Sequence, residues 1–146
     1  MRKFLLFAGL AVLVVNGAQA HMGATGVVLE RMEAMKEIAS AVKAIKGQLS
    51  SDSYSSNVVI ENASIIEKHA GKNFINLFPK GSEGGPSEAS SSIWQDWDSF
   101  AKISDDLQTK AIAIKDAASD QKPLKQPFTN LVKTCGACHK KFREKK

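Results

Sequence analysis

Apolar side chains recur along this chain with the spacing of helices. From Val28 they fall at Val28, Met32, Met35, Ala39, Val42 and Leu49, with Ile38 and Ile45 widening the stripe. Gly47 weakens this first helix, and the Ser-rich stretch 50–56 closes it. A second helix presents Val59, Ala63, Ile66 and Ala70, and ends near Gly71. The apolar segment 73–78 docks as a short turn, and 79–92, rich in Gly and Ser, reads as loop. A third helix follows the spacing four, three, four, three through Ile93, Trp97, Phe100, Ser104, Leu107, Ala111, Ile114 and Ala118. The stretch 119–123, ending in Pro123, breaks it. The last helix aligns Leu124, Phe128, Leu131, Cys135, Cys138 and Phe142 on one stripe. No pair of alternating segments suggests a sheet. The expected class is all-α, an antiparallel four-helix bundle, an architecture that builds cofactor sites between facing helices.

The N-terminus stands apart from this pattern. Arg2 and Lys3 precede an apolar run from Phe4 to Val15, and Ala18-Gln19-Ala20 has the small-x-small form of a cleavage site. Residues 1–20 read as a signal peptide cleaved after Ala20, leaving residues 21–146 as one domain. The run is short for a membrane span of about 20 residues, and no cysteine follows it to carry a lipid, so no membrane anchor is expected. Loss of Arg2 and Lys3 lowers the formal charge from +5 to +3. That mild excess lacks the basic stripe interleaved with aromatics expected of a nucleic-acid binder. Lys140, Lys141, Arg143, Lys145 and Lys146 gather at the end, either as a solvated helix terminus suited to the dipole or as a docking edge for an acidic redox partner.

Both cysteines lie in Cys135-Gly136-Ala137-Cys138-His139, a C-x-x-C-H motif for covalent haem attachment. On a helix, Cys135 and Cys138 lie about 60° apart and His139 about 40° from Cys135, so all three leave one face. A zinc site would need a second ligand pair, and a thioredoxin-like pair would need a βαβ context. In an exported protein without haem, the two thiols could instead form a disulfide. The expected cofactor is one haem c, bound through Cys135 and Cys138 with His139 as an axial ligand to its iron.

This motif near the C-terminus, extended to Phe142-Arg143, together with Leu77-Phe78-Pro79, Ile93-Trp94 and Arg31-x-x-x-Met35, resembles the class II c-type cytochromes. That family includes cytochrome c′ and the low-spin cytochrome c-556 group, and the resemblance covers essentially all of residues 21–146. It implies that the first helix crosses the distal haem face, with the residue four after the arginine directed at the iron. Here that residue is Met35. A methionine on an apolar stripe is ordinarily core filler, but a thioether also suits haem iron, and His/Met ligation favours electron transfer. Met32, His69, His21, Met22 and Met1 are weaker candidates. Arg31, one turn before Met35, stands either within reach of a haem propionate for a charge-assisted hydrogen bond or as a surface partner of Glu30 or Glu33. The resemblance places Arg143 and Phe142 on the proximal side. For Trp94 and Trp97, packing is the expected role.

The implied function is a periplasmic monohaem electron carrier between redox partner proteins that the sequence does not identify. The alternative is a gas-binding protein that takes NO or CO at the distal face. No nucleophile, base or phosphate loop suggests an enzyme. Some relatives pair through their first two helices, so a homodimer is an implied state beside the monomer.

Overall fold

The computed structural model describes residues 23–144, and the chain there is helical. In order, the helices are α1 (Gly26–Gln48), α2 (Ser56–Lys68), α3 (Lys72–Ile75), α4 (Ser92–Gln95), α5 (Trp97–Asp116) and α6 (Gln121–Phe142). The four long ones, α1, α2, α5 and α6, make a four-helix bundle. Each packs mainly on its predecessor, and the ring closes loosely, because α1 meets α6 only sparingly. The sole strand-like feature among the described residues is an isolated bridge between Ala89 and Arg143. The signal segment and cleavage site expected at residues 1–20, with His21, Met22, Lys145 and Lys146, lie outside the described residues.

Helix ends follow local chemistry. The Ser55 hydroxyl caps α2 by accepting from the Val58 amide, and the Asp120 carboxylate accepts from the Gln121 amide at 2.6 Å. Pro123, expected to break the third helix from the last, instead sits in the first turn of α6, where its missing N–H has no helical partner to lose. Pro127 also lies inside α6, near its start. One end of the bundle is laced together by Gln121, whose amide donates to the carbonyls of Gln48 at 2.9 Å and Ser51 at 2.6 Å. The Tyr54 hydroxyl adds a 2.8 Å bond to the Ala118 carbonyl.

On α2, Val59, Ala63 and Ile66 are fully buried, as is Ala70 just past its end, as their spacing predicts. On the third expected helix, the stripe from Phe100 to Ala118 is buried, but Trp97 keeps 36% of its surface exposed. That helix is also interrupted. Asp96, at φ −131° and ψ 58°, separates α4 from α5. Its carboxylate is held by Lys141 of α6, a long-range partner invisible to periodicity.

The first helix is rotated from its expected face. Its buried positions are Arg31, Ala34, Ile38, Ala41 and Ile45, whereas Val28, Met32, Met35, Val42 and Leu49 flank them half-buried and Ala39 is exposed. Alanines at the contact let α2 approach closely, so the bulkier side chains are displaced to one flank. Gly71 marks another close approach. At φ +60° its amide donates to the Ser104 carbonyl at 3.1 Å, and the Ser104 hydroxyl returns a bond to the Gly71 carbonyl at 3.1 Å. A Cβ there would lie 2.4 Å from the Gln108 amide oxygen.

Two cores result. One, aliphatic, runs between the long helices through Ile45, Ile66, Ile114, Leu124 and Leu131. The other is mostly aromatic and gathers Phe74, Phe78, Ile93, Phe100 and Phe142. Phe100 meets Phe78 and Phe142 edge-to-face at 4.8 and 5.3 Å, arrangements that suit the ring quadrupoles.

A half-buried polar clasp joins α5 to α6. The Thr134 hydroxyl donates to the Asp106 carboxylate at 2.7 Å, and this bond, with Lys110, holds the carboxyl below its ordinary pKa despite partial burial. A depressed folded pKa gives stability that is present above the unfolded carboxyl's pKa and lost as pH falls through the folded value. Thr134→Val is expected to cost about 1 kcal/mol near neutral pH, discounted because Asp106 is half exposed. It should also flatten the acid limb of stability below about pH 4. Thermal unfolding across that range checks both, and an unchanged acid limb would remove the clasp's role.

Candidate functional site

The residues expected to hold a haem fall where the two cores meet. Cys135 packs against the aliphatic core and Cys138 against the aromatic one, both half-buried and neither in a disulfide. Their placement on successive turns of α6 follows from the stripe that also buries Leu131 and Phe142. Burial pushes the Cys135 thiol up, and burial with the neighbouring Cys135 pushes Cys138 up to about 11. Both therefore stay protonated thiols rather than thiolate metal ligands. Among the described residues, no group of three or more His, Cys, Asp or Glu side chains could hold a metal ion by itself.

His139 follows on the same helix and is exposed by area, though the surrounding protein still desolvates its ring. That desolvation, and then the charge of Arg143, holds its pKa below the ordinary imidazole value, against the pull of Glu88. The neutral imidazole is the form that ligates a metal. The end of α6 is fixed from outside. The Ser90 amide donates to the Phe142 carbonyl at 3.0 Å, the Glu144 amide to the Glu88 carbonyl at 2.8 Å, and the Ser92 hydroxyl to the Lys141 carbonyl at 2.8 Å. Carbonyls left free at a helix end are satisfied in this way. Arg143, four residues after His139, pairs its guanidinium with Glu88 at 2.5–2.6 Å. Phe142, only 3% exposed, anchors the aromatic core beneath this turn.

Across the seam, α1 contributes Met35 and Arg31. Met35 is the one side chain of α1 that packs against both cores, the same two that Cys135 and Cys138 border. Arg31, one turn earlier, is not the surface partner of Glu30 or Glu33. It is buried to 3% exposure, with Nη1 donating to the Ser82 hydroxyl at 3.1 Å and Nη2 to the Ser82 carbonyl at 2.6 Å. Its guanidinium carbon sits 4.9 Å from the centre of the Phe78 ring, a cation–π contact. Burial lowers its pKa, against the opposing charge of Glu83. Its Nε is the only buried side-chain polar atom without a partner among the described residues.

The other sequence candidates lie elsewhere. Met32 is half-buried on the α1 flank. His69 caps α2 and pairs its Nε2 with Glu37 at 2.8 Å, tying α2 to α1. Trp94 donates its indole N–H to the Phe78 and Pro79 carbonyls at 3.1 and 3.3 Å, a packing role that fixes the loop. Periodicity missed Ser82, Glu88 and Thr134, because each matters through a partner distant in sequence. Thr134 lies beside the expected stripe of α6, and its burial shows only in the structure.

These residues fit a haem bound through α6. Two reduced thiols and a neutral imidazole leave the same region of one helix. A thioether lies across the seam, and a buried guanidinium has a donor free for a carboxylate. The loose contact between α1 and α6 leaves this as the side of the bundle least closed by its own helices.

Comparison with known proteins agrees. Residues 26–143 match the family described as Cytochrome C'. A cytochrome c′ of Rhodopseudomonas palustris is 29% identical over 143 residues, covering 97% of this chain and 98% of the relative. A solved cytochrome c′ from that species superposes with a TM-score of 0.77, over 84% of this chain and 99% of the other at 29% identity. A cytochrome c-556 of Agrobacterium tumefaciens is 35% identical, covering 83% of this chain and 99% of its own length. The nitric oxide complex of a cytochrome c′ mutant from Alcaligenes xylosoxidans superposes with a TM-score of 0.68 at 26% identity, over 82% and 94% of the two chains.

Proposed function

Because this chain belongs to the cytochrome c′ family, class II c-type cytochromes that carry one covalently attached haem c, we propose that it is a periplasmic single-electron carrier with His139 and Met35 as axial ligands. When bound, the haem supplies an Fe(III)/Fe(II) couple. The chain supplies everything around it. Cys135 and Cys138 provide the two attaching thiols, and His139 provides a neutral ring nitrogen. Met35 provides a soft thioether, which suits haem iron and raises its potential. The aromatic core excludes water, and Arg31 offers its free Nε–H to a carboxylate. With His139 and Met35 both held to the iron, the haem would have no open position for a substrate, so we propose no catalytic activity.

One observation carries this reading: Met35 alone on α1 packs against the cores that receive both cysteines. The basic, apolar and small-residue order of residues 1–20 supports export. No helix among the described residues is long and apolar enough to cross a membrane. The partners proposed are redox proteins, with a homodimer as one candidate state.

A second reading, binding of NO or CO at the distal face, is favoured by the relatives named cytochrome c′ and by the nitric oxide complex of one of them. In that reading Met35 packs without ligating, or yields. The optical spectrum of the oxidised haem-loaded protein separates the two. A thioether-to-iron charge-transfer band at the red end, with a low-spin ferrous spectrum and slow CO uptake, is expected. A high-spin spectrum with fast CO uptake would replace the carrier reading with the gas-binding one.

A further inference from the structure

The charge of this protein is distributed unevenly around the bundle. From Gln121 to Arg143, α6 and its cap contain no Asp or Glu, yet they carry Lys122, Lys125, Lys133, Lys140, Lys141 and Arg143. Each of the other long helices mixes both signs or is net acidic, with Glu30, Glu33 and Glu37 on α1 and Asp98, Asp105, Asp106 and Asp116 on α5. Two of the α6 cations are spoken for, Lys141 by Asp96 and Arg143 by Glu88. The remaining four are exposed and make no ion pair among the described residues.

These four share a face. At 100° per residue, Lys122, Lys125, Lys133 and Lys140 all lie within about 60° of Gly136 on the helical wheel, and they span about 27 Å along the axis. Among them lie the exposed polar Gln126 and Thr129, and beside them small apolar positions. Val132 is 43% exposed, Gly136 and Ala137 are exposed, and a Cβ on Gly136 would meet nothing within 4 Å. Gly136 and Ala137 lie between Cys135 and Cys138, so a partner pressed on this face meets bare backbone at the turn that carries the haem attachment. Unpaired like charges on one helix face add nothing to stability. They raise the encounter rate and fix the orientation of an oppositely charged protein.

We propose that the outward face of α6, where Lys125, Lys133 and Lys140 stand beside the exposed Val132, Gly136 and Ala137, docks an acidic partner protein. That this partner exchanges electrons rests on the carrier reading; the surface itself does not. A nucleic acid is a poorer occupant, because no exposed aromatic interleaves the lysines. An anionic membrane is poorer too, because Val132 is the only large apolar side chain the face could insert.

The test uses the haem-loaded protein and a hexaglutamate peptide as probe. Amide chemical shifts at low salt are expected to move most from Val132 to Lys140, and to return as salt is raised. Combining Lys125→Glu, Lys133→Glu and Lys140→Glu should weaken the peptide about tenfold or more, while Lys36→Glu, Lys43→Glu and Lys46→Glu on α1 should change it about twofold at most. An unchanged haem spectrum and melting temperature in both triple variants shows that each remains folded. Equal weakening by the two sets would mean that net charge alone acts, and would overturn the proposal. So would tight binding to phosphatidylglycerol vesicles that the α6 set abolishes, since the occupant would then be a membrane. Hexaglutamate accepts no electron, so this result is independent of the spectra that test the carrier reading.

Discussion

Met35→Leu is expected to turn a low-spin haem protein into a high-spin one. Leucine keeps nearly the volume of methionine, and such swaps in packed sites cost less than about 1.5 kcal/mol, so the bundle should persist. What disappears is the thioether. A soft sulfur ligand favours Fe(II) over Fe(III), and its loss should lower the reduction potential by on the order of 100 mV, equivalent to about 2 kcal/mol of differential stabilisation. The red charge-transfer band should vanish from the oxidised spectrum, and the reduced variant should take up CO at least about tenfold faster, because no side chain then has to leave the iron. Met32→Leu is the matched control. It removes an equivalent sulfur half-buried on the same flank, and should leave spectrum and potential unchanged. A high-spin wild type whose spectrum and potential do not respond to Met35→Leu would remove Met35 from the iron and leave the gas-binding reading in its place.

The sequence makes Met35 a candidate by its offset from Arg31, and the fold accounts for its position by a route that periodicity does not capture. Counting bulky apolar residues placed Met35 in the middle of the buried stripe of α1. In the bundle the centre of that helix's contact belongs to Ala34, Ile38, Ala41 and Ile45, and Met35 stands on the flank, against both cores. A residue at the centre of the α1–α2 contact would be spent on packing; one on the flank faces the loosely closed side of the bundle. On α2 the buried residues Val59, Ala63 and Ile66 are the ones its spacing marks, so the pattern and the burial coincide. The last helix was legible for the same reason, from Leu124 through Phe142. Illegible features depend on pairs far apart in the chain. The break at Asp96 is accompanied by its bond to Lys141, and the end of α6 is held by the 88–92 segment through Glu88, Ser90 and Ser92. No local propensity encodes either, because each becomes favourable only once α6 is in place.

Arg31→Met is expected to affect the haem-free and haem-loaded proteins in opposite ways. The guanidinium is 3% exposed, and its hydrogen bonds go only to Ser82, with Phe78 beneath it; no carboxylate among the described residues lies within ion-pairing distance, and the charge of Glu83 acts on it only from farther away. A cation buried without an anion in contact bears a desolvation cost that neutral partners and the more distant Glu83 offset only in part, and replacing such a charge by an apolar side chain of similar length is often neutral or stabilising by about 1–4 kcal/mol. The haem-free variant should therefore melt at or above the wild-type temperature. The haem-loaded variant should melt lower, because a haem carboxylate that relied on the free Nε–H would be left without its cation, a loss of about 3 kcal/mol by analogy with other broken buried pairs. Equal losses in both forms would reduce Arg31 to a clamp on the loop at Ser82. Should the haem-free protein prove unfolded, the loaded form still decides the matter through the pH dependence of its potential. Ionisation of a haem propionate adds negative charge and lowers the potential as pH rises. A nearby guanidinium holds that ionisation at low pH, and its removal should shift the fall toward higher pH. A potential whose pH profile is identical in Arg31→Met would separate the buried guanidinium from the haem altogether.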